Sequence, residues 1–145
     1  MTRSSLVALV VVALTLTVAG AIAVEADDNP QIPDGLKGFS GTLRGKVTEV
    51  HQDGKAFHMD VTAVVNVWRK NTAPNPRSAV GQNLLINAQW ENRGGAWHPV
   101  ENHVRFIKTL KVGEEIDIEV VNDEGERLHI LELSRAQRDR AGRRR

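Results

Sequence analysis

With 145 residues and a formal net charge of +1, the chain has length for one hydrophobic core and not two, and lacks the strongly basic balance of a nucleic-acid-coating protein. It contains no cysteine, which excludes disulfides and a lipid-modified N-terminal cysteine. The N-terminus carries Arg3, an apolar run from Leu6 to Val24 interrupted by Thr15, Thr17 and Gly20, and then Asp27 and Asp28. Charge, apolar segment and small-residue exit, in that order, read as a secretory signal over residues 1–26. Val24-Glu25-Ala26 favours a cut after Ala26, and Ala21-Ile22-Ala23 offers a second cut. Left uncleaved, the same segment is long enough to anchor the chain in a bilayer. An exported domain without disulfides fits a bacterial envelope, periplasmic or extracellular, better than a eukaryotic secretory route.

Residues 27–38 hold two prolines and two glycines without periodicity and read as a linker. From Phe39 the pattern has period two: Phe39, Gly41, Leu43, Gly45 and Val47 alternate with polar residues, as in a strand with one wet face. Asp53-Gly54 marks a tight turn, and a second strand alternates Phe57, Met59, Val61, Ala63, Val65 and Val67 with the residues between them. Residues 69–81, with two prolines, form a loop. A third strand spans Asn83 to Glu91, with Leu84, Ile86, Ala88 and Trp90 on one face, and Asn92-Arg93-Gly94-Gly95 turns the chain. A short apolar segment runs from His103 to Leu110, Glu115 to Val121 alternates again, Asn122-Asp123-Glu124-Gly125 makes another hairpin, and Arg127 to Leu133 closes the sheet. Ser134 caps a short helix that leads into the basic tail ending in Arg143-Arg144-Arg145.

A long antiparallel sheet must curl to cover its edges, and Gly41 and Gly45 allow the first strand to bend across it. That bent strand, the Asp-Gly hairpin, the long proline-bearing connection and the Val112-Gly113-Glu114-Glu115-Ile116 turn together resemble the oligonucleotide/oligosaccharide-binding (OB) class. The predicted fold is all-β: a small five- or six-stranded antiparallel OB-like barrel over residues 39–133, with a short C-terminal helix and Arg-rich tail over 134–145. The resemblance implies a binding face flanked by the loops after the first and fourth strands.

For catalysis, there is no Gly-x-Ser-x-Gly element, and Ser40, Ser78 and Ser134 lack a local histidine partner. The acidic run Glu114, Glu115, Asp117 and Glu119 fits a wet strand face, so the expectation is a protein that is not an enzyme and uses no cofactor. His98, Glu101 and His103 are the metal-ligand candidates, yet three converging donors are not secured by their spacing, and the expectation is no metal. The indoles carry more information. Trp68 sits beside Arg69 and Lys70, and Trp97 lies in a loop near Arg93 and His98. Exposed indoles beside cations stack on sugar rings or bases, whereas buried ones plug a core. The six residues Trp68, Arg69, Lys70, Arg93, Trp97 and His98 are therefore the predicted binding set, with an envelope glycan or protein as partner. Nucleic acid is disfavoured, because residues 27–134 carry twelve Lys and Arg against sixteen Asp and Glu. The last eleven residues carry six arginines against Asp139, a basic tail suited to peripheral contact with an anionic surface. Two further readings follow: an accessory envelope protein docked by that tail, and a small metal protein or hydrolase centred on His98, Glu101 and His103.

Overall fold

A computed structural model describes residues 32–122 and 127–143; the predicted signal, residues 123–126 of the last hairpin and the final two arginines lie outside the described residues. The strands are β1 (Ser40–Val50), β2 (Ala56–Val67), β3 (Asn83–Asn87), β4 (Trp90–Arg93), β5 (Ala96–Pro99), β6 (Glu115–Val121) and β7 (Leu128–Ile130). Two helices, α1 (Glu101–Thr109) and α2 (Arg135–Gly142), and two short 3-10 turns complete the chain. Five strands close into a barrel in the order β1-β2-β3-β7-β6, with β1 bonded to both β2 and β6, while β4 and β5 form a separate ribbon. This is the OB-like barrel with a C-terminal helix that the sequence predicts.

The alternation in β1 turns Leu43 and Val47 fully inward and leaves Arg44 and Lys46 in water. Its glycines serve close approach. A Cβ on Gly41 would lie 2.2 Å from the Asn66 carbonyl oxygen, and one on Gly45 would lie 2.5 Å from that of Asp60. Register shifts beside Thr42, Arg44 and Val47 add the coiling that closure needs. The β1–β2 turn is pinned by Gly54 at φ +70° and by Asp53, whose carboxylate accepts the Lys55 N–H at 2.9 Å.

Three features differ from the expected meander. The segment from His103 to Leu110 is helical: His103, Phe106, Ile107 and Leu110 fall at i, i+3, i+4 and i+7 and bury one face, and Glu101 and Arg105 pair one turn apart. Inserted between β3 and β6, α1 supplies a crossover that a hairpin cannot, and β7 lies parallel to β3, with Ile86 opposite Leu128 and Asn87 opposite His129. The barrel is therefore mixed, with one parallel pairing among antiparallel ones. Third, β3 stops at Asn87, and Trp90, expected on the same inner face as Leu84 and Ile86, begins the β4–β5 ribbon instead.

The core is built on Phe39, Phe57 and Phe106, packed with Leu36, Met59, Ile86, Ile118 and Leu128. Ile32 and Leu36, within the segment read as a linker, belong to it. So does Ala141 of α2. The predicted cap is present: Ser134 Oγ accepts the Gln137 N–H at 3.2 Å, and Gln137 Oε1 accepts the Ser134 N–H at 2.9 Å. Gln137 Nε2 donates to the Asp117 carbonyl at 2.7 Å, and the Arg140 guanidinium grips both oxygens of Glu114 at 2.8 and 3.0 Å while lying 5.8 Å from the Phe106 ring centroid. The helix of the basic tail is thus docked on the barrel.

Candidate functional site

All three indoles reach solvent, Trp68 at 39%, Trp90 at 40% and Trp97 at 65% exposure, so none plugs the core. They do not form one patch. Trp68, with Arg69 and Lys70, follows the C-terminal end of β2, where its N–H donates to the Ser40 carbonyl. The β4–β5 ribbon is rooted at the opposite end of β2, through the Ala88 N–H bonded to the Lys55 carbonyl at 2.8 Å. The six predicted residues therefore divide into two groups, one at each end of a twelve-residue strand.

Within the ribbon, pleating sorts the side chains. Trp90 pairs with Pro99, Glu91 with His98, Asn92 with Trp97 and Arg93 with Ala96. Partners directly opposite share a face and successive residues alternate, so Trp90 and Trp97 stand diagonally on one face, while Arg93 and His98 stand on the other. Arg93 is ion-paired with Glu91 at 3.0 Å. Beside Trp90 stands Lys55, whose Nζ lies 5.7 Å from the Trp90 ring centroid. The result is a projecting ribbon, every residue of β4 exposed, with two indoles and one ammonium along one side. Sequence reasoning missed Trp90 and Lys55. The signal was the spacing itself, since a tight turn at Gly94-Gly95 places residues 90 and 97 two pairs apart on the same face.

The proposed metal trio does not assemble. His103 is buried at 6% exposure, and its Nδ1 accepts the Gln89 N–H at 3.2 Å. Burial holds its pKa below the ordinary histidine value, with Glu91 opposing weakly. Glu101 is engaged by Arg105, and His98 stands on the ribbon. A different trio does gather: Glu49, His51 and His58 each bring a ligand atom within 4.8 Å of the others, where β1 runs into the β1–β2 turn and returns as β2.

Elsewhere, α1 and α2 flank an open, basic groove lined by Arg105, Lys108, Lys111, Arg140 and Arg143. Glu114, hydrogen-bonded by Arg140, is held below the usual glutamate range despite partial burial, and the Arg140 pKa is raised by the same contact.

The closed barrel, its parallel β3–β7 pairing and the helix between β3 and β6 define the class, a small OB-like barrel, elaborated by a two-stranded ribbon ahead of that helix. No protein-family model matches the chain, and neither a curated protein nor a solved structure matches it.

Proposed function

We propose that this is an exported, non-catalytic binding module that holds a glycan-type envelope polymer against the Trp90–Trp97 face of the β4–β5 ribbon. The observation that carries the reading is the pair of exposed indoles on one face of a projecting ribbon, flanked by Lys55. Indole faces stack on the C–H faces of pyranose rings at little cost in side-chain entropy, and an ammonium beside them favours a polymer carrying carboxylates. In the OB class, ligands lie across the second and third barrel strands and the first hairpin turn, and Lys55 belongs to that turn. Export rests on the order of charge, apolar run and small residues at the N-terminus.

The test is tryptophan fluorescence during titration with peptidoglycan fragments and acidic oligosaccharides. Trp97→Ala should weaken binding by about thirtyfold, as expected for an anchoring indole worth roughly 2 kcal/mol, and Trp68→Ala should leave it unchanged. A response abolished by Trp68→Ala alone would move the saccharide site to the other end of β2. No response to any saccharide would end the glycan reading.

The second reading, an accessory protein docked through its basic C-terminal region, is supported by the groove between α1 and α2, where Lys108 and Lys111 add to the charge of the tail's Arg143.

A further inference from the structure

We infer that Glu49, His51 and His58 form a binding site for a divalent transition-metal ion of the zinc type. Two imidazoles and a carboxylate suit that class of ion, which prefers nitrogen ligands and tolerates one carboxylate. The three come together through the fold. A register shift between Val47 and Glu49 sets Glu49 opposite His58, and the turn places His51 beside them, its N–H donating to the Ala56 carbonyl at 3.0 Å and its carbonyl accepting from Gly54 at 2.9 Å. The two imidazole rings lie 5.5 Å apart between centroids, tilted by 42°. Tetrahedral bonds of about 2.0–2.1 Å place neighbouring donors roughly 3.4 Å apart, so donors already within 4.8 Å need only side-chain rotation to close.

The second observation is how His58 is held. Its Nδ1 lies 3.2 Å from Asn83 Oδ1. Asn83 Nδ2 donates to Thr48 Oγ1 at 2.9 Å and to Asp60 Oδ1 at 2.8 Å, so both amide hydrogens face oxygens and Oδ1 is left as an acceptor. His58 must therefore present Nδ1–H to Asn83, which leaves the lone pair on Nε2. An imidazole oriented by an amide oxygen on one nitrogen and free on the other is the arrangement that surrounds metal-ligating histidines. Among the described residues, Glu49 takes part in no ion pair with Lys or Arg, so its carboxylate is not already committed. Both histidines are half-buried and Glu49 is exposed, leaving a coordination position open to solvent. The site uses none of the indoles, so it stands or falls separately from the glycan reading.

The experiment is a titration of the full-length chain, purified without a histidine tag and stripped with EDTA, with Zn²⁺ alone by calorimetry and thermal denaturation. One equivalent should bind with a Kd of about 10 μM or tighter and raise Tm. His51→Ala and His58→Gln, each confirmed folded by far-UV circular dichroism, should each weaken binding at least tenfold, with His98→Ala and His129→Ala unchanged. Asn83→Ala should weaken it about tenfold while retaining the stoichiometry, the effect of a positioning residue. Absence of heat and of any Tm shift at about 1 mM Zn²⁺ would overturn the assignment. So would binding that persists in both the His51 and His58 variants.

Discussion

His103 is the residue whose environment makes the clearest prediction. It is buried on α1, accepts a backbone N–H from Gln89, and is kept neutral because burial disfavours the imidazolium. Its folded pKa lies below the unfolded one, so the unfolded chain takes up a proton first as pH falls. The stability His103 contributes is present above the unfolded histidine value and is lost as pH drops below it. Thermal denaturation between pH 7.5 and 5.5 should show Tm falling with acidification. His103→Asn keeps an acceptor near the position of Nδ1 without a titrating group, and should flatten that slope. An unchanged slope would show that another group carries it. Glu114 works in a lower window: held down chiefly by its hydrogen bond to Arg140, it contributes above the ordinary glutamate range and loses its contribution as pH falls through its own depressed pKa. Acid therefore weakens α1 near neutrality and the docking of α2 only further down.

At the scale of elements, β1 is the strand on which closure depends, since it pairs with both β2 and β6. Gly45→Ala would drive a methyl to 2.5 Å from a backbone carbonyl, which cannot rotate away, and should cost about 1–3 kcal/mol in urea unfolding. Gly142→Ala, with open space around its Cβ, should stay within about 0.5 kcal/mol of the parent. A Gly45 variant as stable as the parent would mean that β1 can move off β2 there. The bend in β1, the Asp53-Gly54 turn and the Ser134 cap were legible because each is written in a few neighbouring residues. The helix α1 was equally local, with His103, Phe106, Ile107 and Leu110 at helical spacing, but eight residues after a proline also suit a short strand, and burial against α2 and the barrel decides. Leaving His103 to Leu110 as a short apolar segment hid the crossover, and with it the parallel β3–β7 pairing. The sites divide in the same way. Trp97 is close in sequence to His98 and Arg93, yet pleating puts it on the opposite face from both, whereas Glu49 and His58 meet only through a bulged register that nothing local specifies.

For the whole molecule, charge is the organising asymmetry: a mildly acidic body and a C-terminal region with six arginines in eleven residues. The described part of that region divides into structural and free charge. Arg140 is committed to Glu114, and Arg138 to Glu132, while Arg143 lines the groove with Lys108 and Lys111. Removing residues 135–145 would thus confound two effects, because it takes away Ala141 and the Arg140 side chain over Phe106, a ring only 1% exposed in the fold. Uncovering an aromatic ring of that kind costs roughly 2 kcal/mol. The eleven-residue truncation should therefore unfold at a clearly lower urea concentration, and its behaviour toward any surface would report stability as much as charge. Ending the chain at Gly142 removes three arginines and leaves α2 docked. That variant should keep the parent's urea midpoint and, if the basic region docks the protein, should bind vesicles of anionic lipid several-fold more weakly at low salt. The difference should vanish at about 0.5 M NaCl, where the Debye length falls to roughly 4 Å. Equal vesicle binding by the two chains at low salt would leave the groove lysines, tested as Lys108→Glu with Lys111→Glu, as the remaining source of docking charge, and equal binding by those variants as well would refute the docking reading.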